Sequence, residues 1–155
     1  MKIFLKIFSI LLLAGFIILQ FFQPDKNTGE QLTETDLVWS TDIPVEMAEK
    51  FMNSCYDCHS NYTNYPWYGY VSPVSLLLDN HIKEGKEKLN FSVWAEYSKK
   101  EQVILLGGIC SELLDMKMPL PMYIQLHRKA EISTENIFLI CDWTDQESEN
   151  IISED

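Results

Sequence analysis

Nowhere in the 155 residues do apolar and polar side chains alternate for the length of a β-strand, and no segment recurs along the chain. The first absence argues against sheets and the second against a repeat architecture, so the expected class is all-α. Bases are scarce: 12 Lys and Arg stand against 23 Asp and Glu. Lys2 and Lys6 lie in the first 23 residues, which hold no acid, so the remainder has ten bases, 23 acids and a formal charge of −13. That charge repels nucleic acid and anionic headgroups and steers the domain toward basic protein partners. No base occurs between Asp142 and Asp155, and residues 146–155 read as a solvated acidic tail. No catalytic acid–base pair is apparent, which argues against an enzyme. Apolar residues make up 46% of the chain and include Trp39, Trp67, Trp94 and Trp143, enough for a core and against disorder.

One long apolar run exists, from Ile3 to Phe22. As a helix it would be roughly 30 Å long, about one hydrocarbon core. Lys2 and Lys6 would hold its start in the cytoplasm and send the rest of the chain across the membrane. The run ends in Phe21-Phe22-Gln23-Pro24 rather than an Ala-x-Ala-like site, and no Cys lies close behind it. Residues 1–23 are therefore expected to be an uncleaved signal anchor in preference to a cleaved signal peptide. A buried soluble helix fits least, because the run is not amphipathic.

Residues 24–43 are polar and read as a linker lifting the domain off the bilayer. Residues 44–145 form the expected domain. Pro44 suits a first helical position with Asp42 as a cap, and Val45, Ala48, Phe51 and Met52 recur at helical spacing toward Cys55. After an aromatic loop over 61–73, Leu76, Leu77, Asn80, His81 and Glu84 predict a second helix ending near Gly85 or a little later. Ser98-Lys99-Lys100-Glu101 is a capping box opening a third, with Val103, Leu106, Cys110 and Leu113 on one face. Pro119 and Pro121 end that pattern and frame a loop from Met118 to Lys129. Ser133 is placed to cap a last helix, with Ile132 and Ile137 as a hydrophobic staple and a frayed end in the tail. The first and last helices of the domain are expected to pack together.

The chemistry concentrates in Cys55-Tyr56-Asp57-Cys58-His59. Thioether attachment of haem needs two thiols about one helical turn apart and an adjacent imidazole to face the iron, and Cys-x-x-Cys-His supplies both. Covalent haem c at Cys55, Cys58 and His59 is the expected cofactor, and export to an oxidising compartment suits it. Two rival readings use the same thiols. A thioredoxin-like redox pair would sit at a helix start after a βαβ strand, and no strand is expected here. A zinc site would need two further ligands, from His81 or His127, but no second paired set exists.

Electron transfer would call for a ligand on the other face of the iron. Met118, before Pro119, is favoured over Met116 and Met122, which read as packing residues. His81 is the alternative distal ligand, giving a bis-histidine iron, and His127 has a smaller claim. A backbone carbonyl in Tyr65-Pro66-Trp67 is a candidate to hold the second ring nitrogen of His59. The aromatic loop around them serves either as a wall for the haem edge or as core packing. Cys110 and Cys141, on apolar helix faces, are expected to form a disulfide rather than remain free thiols.

On these residues the chain resembles the haem-binding domain family of membrane-anchored bacterial proteins, related to monohaem cytochromes c. The matching stretches are Cys55 to Asn61, Tyr65-Pro66-Trp67-Tyr68, Ser72-Pro73-Val74-Ser75 and His81. Further on come Leu89-Asn90-Phe91-Ser92 with Trp94, Met118-Pro119-Leu120-Pro121-Met122-Tyr123, and Asp142-Trp143. The resemblance covers Val45 to Thr144. It implies a cytochrome c-like fold around one haem c, bound through Cys55, Cys58 and His59, and Met118 as distal ligand. Where that family places a glycine just before the Met-Pro turn, this chain has Asp115-Met116-Lys117. The expectation is a one-electron carrier on the periplasmic side of the cytoplasmic membrane, working with redox proteins. The alternatives are a haem-based sensor with a displaceable distal ligand and, further off, a thiol-disulfide oxidoreductase.

Overall fold

A computed structural model describes residues 1–153, and among these every regular element is a helix. An apolar helix α1 (Lys2–Leu19) precedes the domain and is long and apolar enough to cross a membrane, with none of it buried. The domain contains α2 (Leu37–Ser40), α3 (Val45–Ser54), the single turn α4 (Tyr56–His59), α5 (Val74–Lys88), α6 (Lys99–Leu114), α7 (Pro121–Leu126) and α8 (Thr134–Ser153). Short 3-10 turns at Trp67–Tyr70, Phe91–Glu96 and Arg128–Ala130 connect them. The only β contact among the described residues is an isolated bridge between Thr28 and Tyr62.

The expected helices form, with differences at their ends. Pro44 is the residue before α3 rather than its first residue, and no side chain caps it. The capping box of α6 is complete: Ser98 Oγ accepts from Glu101 N–H (3.3 Å) and Glu101 Oε2 from Ser98 N–H (2.9 Å). Ser133 accepts from Asn136 N–H at 3.3 Å. α8 does not fray where the acidic residues begin but continues to Ser153, because Ile151 is buried in the core. Glu154 and Asp155 lie outside the described residues. The expected loop from Met118 to Lys129 contains α7, which starts at Pro121, a position where proline's missing N–H costs nothing.

The core gathers Leu37, Phe51, Tyr56, Phe91, Trp94, Leu106, Leu113, Ile140, Trp143 and Ile151. Phe51 meets Phe91 and Trp143 edge-on at 5.6 and 5.7 Å, so α3 and α8 touch as expected. The most extensive helix pairing, however, is α6 with α8. These two are joined by the Cys110–Cys141 disulfide. Of the four tryptophans, Trp94 and Trp143 are core, whereas Trp39 and Trp67 are exposed.

Residues 24–43 do not behave as a tether. Leu37 and Asp36 are fully buried, and Ala95 N–H donates to the Thr35 carbonyl at 2.9 Å. Thr35 Oγ1 donates to the Ser92 carbonyl (2.8 Å), and Asn27 Nδ2 to the Ser60 carbonyl (2.9 Å). Polarity suggested solvent exposure, but these side chains satisfy backbone groups that the short helices and 3-10 turns leave without partners.

Candidate functional site

Cys55, Cys58 and His59 are brought into place by a helix that stops and restarts. α3 ends at Ser54, Cys55 adopts φ −124°, ψ −42°, and α4 begins at Tyr56. Cys55 remains half-buried, sharing a cavity with Phe51 and Phe91, and its carbonyl accepts from Cys58 and His59 N–H at 3.1 and 3.0 Å. Burial pushes the Cys55 thiol up to about 12 and the Cys58 thiol up to about 11, so both are protonated at neutral pH. A dithiol poised for disulfide exchange has the opposite bias.

His59 Nδ1 lies 3.0 Å from the carbonyl of Leu89, at the end of α5. A carbonyl only accepts, so Nδ1 carries the proton and Nε2 keeps its lone pair for a metal. Burial also lowers the proton affinity of this imidazole below the usual histidine range, favouring the neutral form. The partner is Leu89, not a carbonyl from residues 65–67, because α5 packs directly on α4 and ends beside His59. That packing depends on Gly85. α5 runs past it to Lys88, a little beyond Gly85 as the sequence predicts. A Cβ on residue 85 would stand 2.6 Å from the Cys58 carbonyl oxygen, so only glycine permits the approach.

Two adjoining cavities open on these residues. One, of about 320 Å³, is lined mainly by apolar groups from α6 and its neighbours, with Cys55, His59 and Met118 among them. The other, about 250 Å³, is lined by Cys58, His59, His81, Met118, Pro119 and Tyr123. Cys55, His59, Lys88 and Met118 line both. Met116 and Met122 line neither and are exposed, so they are not the packing residues expected. Tyr62, Tyr65, Trp67 and Tyr68 also stay outside both cavities; the aromatic loop does not wall them. A larger space of about 580 Å³ behind Tyr56 and Asp57 holds neither thiol nor His59.

The missed residues are Ile104, Leu105, Gly108 and Ile109 of α6, Ile140 of α8, and Gly85. A signal for the first group was present: α6 carries more apolar residues than the face Val103-Leu106-Cys110-Leu113 accounts for, as a helix with two apolar faces does.

Met118 is carried on a turn at the end of α6. Met116 N–H donates to the Leu113 carbonyl (3.1 Å) and Lys117 N–H to the Glu112 carbonyl (3.0 Å), with Met116 at φ 55°. This is a Schellman cap whose left-handed residue, ordinarily glycine, is Met116. Met118 N–H reaches the same Glu112 carbonyl at 3.2 Å. From the other end, Tyr123 of α7 donates its hydroxyl to Asp57 Oδ2 at 2.7 Å, tying the Met118 loop to the residue between the two cysteines. Asp57 is itself held: Oδ1 accepts from Asn64 N–H (3.0 Å) and its carbonyl from Thr63 Oγ1 (2.6 Å). His127 stacks on Tyr123 at 4.2 Å and bonds to Tyr68 at 3.3 Å, outside both cavities.

Behind the thiols, Tyr56 donates to Asp36 Oδ1 at 2.5 Å and stacks on Phe91 at 5.0 Å. Asp36 is fully buried and its Oδ2 has no hydrogen-bond partner. Burial raises its pKa above the ordinary aspartate range. Among the described residues no three His, Cys, Asp or Glu side chains cluster as a metal-ion site, so the zinc reading finds no ligand set.

The donors fit a covalently bound haem: two thiols flanking one helical turn, an imidazole oriented through Nδ1, and an apolar cavity with a thioether at its edge. Comparison with known proteins agrees at the level of cofactor. A family model described as haem-binding domain matches residues 14–146. No match was found among curated proteins or solved structures.

Proposed function

We propose that this chain, a member of the haem-binding domain family, is a monohaem cytochrome of the c type that carries single electrons. It is held by α1 in a bacterial cytoplasmic membrane with its domain in the periplasm, and it works with basic redox proteins rather than as an enzyme. The observation that carries this reading is that Cys55, His59 and Met118 line one mainly apolar cavity. Cys55 and Cys58 would form the thioethers, and His59 Nε2 and Met118 sulfur would ligate the iron. Lys88, which lines both cavities, would offer a cation to the carboxylates of the bound group. The walls from α6 and α8 would exclude water. Bound there, haem supplies the one-electron exchange between ferric and ferrous iron. Lys2 and Lys6 in the first turns of α1, with no acid nearby, support the outward orientation.

The test is optical spectroscopy of protein matured by the c-type assembly machinery. The expected result is a pyridine haemochrome spectrum of thioether-linked haem, with a far-red sulfur-to-iron band lost in Met118→Ala. A spectrum without the thioether signature would sink the covalent reading. A specific observation also supports a second ligand set: His81 shares the 250 Å³ cavity with Met118. A far-red band missing from the wild type, with a spectrum altered by His81→Ala, would transfer the role to His81. Rapid carbon monoxide uptake by the reduced wild type would favour a sensor.

A further inference from the structure

α1 is clamped to the domain rather than tethered. Gln20, just past the end of α1, lays its side-chain amide along the backbone of Ser72. Nε2 donates to the Ser72 carbonyl at 3.0 Å, and Oε1 accepts from Ser72 N–H at 3.1 Å. The Ser72 hydroxyl donates to the Phe22 carbonyl (3.1 Å) and accepts from Gln23 Nε2 (2.9 Å). Ser72 is completely buried by this arrangement. Lys26 closes the joint, donating to the Gly69 carbonyl at 2.6 Å with its ammonium 4.8 and 4.9 Å from the ring centres of Tyr65 and Tyr70.

Those bonds have a geometric consequence. The 18 residues of α1 are about 27 Å long at 1.5 Å per residue, close to a hydrocarbon core of about 30 Å. Gln20 therefore lies where hydrocarbon gives way to headgroups, a layer only about 5–8 Å deep on each side. Ser72, hydrogen-bonded to Gln20, lies there too. Around this joint the large exposed side chains are Phe21, Phe22, Trp67, Tyr70 and Val74, the last two flanking Ser72 on either side. Exposed aromatic rings of this kind are costly in water and favoured at a membrane interface.

We propose that the 3-10 turn Trp67–Tyr70 and the start of α5 form a docking face for the bilayer headgroup layer. The domain thus sits flush on the membrane in one orientation. The partner is the lipid interface, recognised through aromatic rings rather than charge, since the domain's formal −13 opposes anionic lipid. The proposal rests on α1 crossing a membrane.

The experiment uses the whole haem-loaded chain in nanodiscs of phosphatidylethanolamine and phosphatidylglycerol, with Tyr70→p-benzoylphenylalanine as a photocrosslinker and mass spectrometry as readout. Lipid adducts at position 70 are expected. Their yield should fall severalfold when Gln20→Ala and Gln23→Ala are added with the haem spectrum unchanged. A chain that stays in carbonate-washed membranes but gives no lipid adduct at position 70, or gives adducts only with a second copy, overturns the docking face while sparing the anchor. Release of the chain by carbonate overturns the anchor and the docking face with it.

Discussion

The two sides of the cavity are held by different means. On the cysteine side, Cys55 precedes the single helical turn Tyr56–His59 between packed elements, with Gly85 against the Cys58 backbone and Leu89 on His59. On the Met118 side, a half-exposed residue sits on a turn that hangs from Glu112 and is drawn inward by Tyr123. The first side is built by backbone contact and burial, the second by a few hydrogen bonds on a cross-linked helix pair. Positioning of His59 should therefore be stiff, and that of Met118 adjustable.

The largest stability effect is expected where the Met118 side takes its rigidity from covalent bonding. Replacing both Cys110 and Cys141 by Ser opens a closure of 31 residues and should cost about 3–4 kcal/mol in the chain-entropy view, read by denaturant unfolding of the haem-loaded protein. Gly85→Ala tests the cysteine side. Its Cβ meets backbone rather than a movable side chain, so about 1–3 kcal/mol and a drop in covalently loaded protein are expected; normal loading would remove the close approach from the account.

Tyr56→Phe comes next and has a pH signature. Burial raises Asp36 above its ordinary range, so the folded protein holds this proton more tightly than the unfolded chain does. The stability that Asp36 contributes is then present in acid and is lost as pH rises through its folded pKa. The Tyr56 hydroxyl eases the charged form by donating to it. Its removal should cost about 1.5–3 kcal/mol at neutral pH and less in acid, as measured by unfolding across pH. A cost that did not vary with pH would exclude this pairing as the cause.

Tyr123→Phe removes one hydrogen bond to Asp57. About 1–2 kcal/mol is expected, together with a weakened far-red band and faster carbon monoxide binding, while covalent loading is unchanged. Equal damage to both sides would erase the contrast between them. The smallest effect is a gain. Met116 occupies the left-handed position of the Schellman cap, so Met116→Gly should stabilise by about 0.5–1 kcal/mol in thermal melts, with the spectrum retained.

Much of this was legible in the residues. Cys55-x-x-Cys58-His59 is a local pattern in which spacing alone sets the geometry, so haem binding could be read without a fold. The capping box at Ser98 and the apolar face of α6 are local in the same sense. Other features depend on contacts between distant residues. Gly85 read only as a mark near the end of the second helix, because glycine usually weakens helices, whereas its service to the approach of α5 on Cys58 depends on the fold. The segment 24–43 looked like solvent-exposed linker because its residues are polar, but that polarity is spent on the backbone groups of Ser60 and Ser92.

The sequence by itself determined an all-helical chain with an apolar N-terminal helix and a motif made for haem, since helical period, apolar length and ligand spacing are short-range properties. Only the tertiary structure decided that Leu89 orients His59, that Met118 and not Met116 or Met122 lines the cavity, and that Gln20 clamps the domain to α1. Each of those is a meeting of residues far apart in the chain. A hydrogen-bonding group in a sequence specifies that it needs a partner, but packing chooses which one.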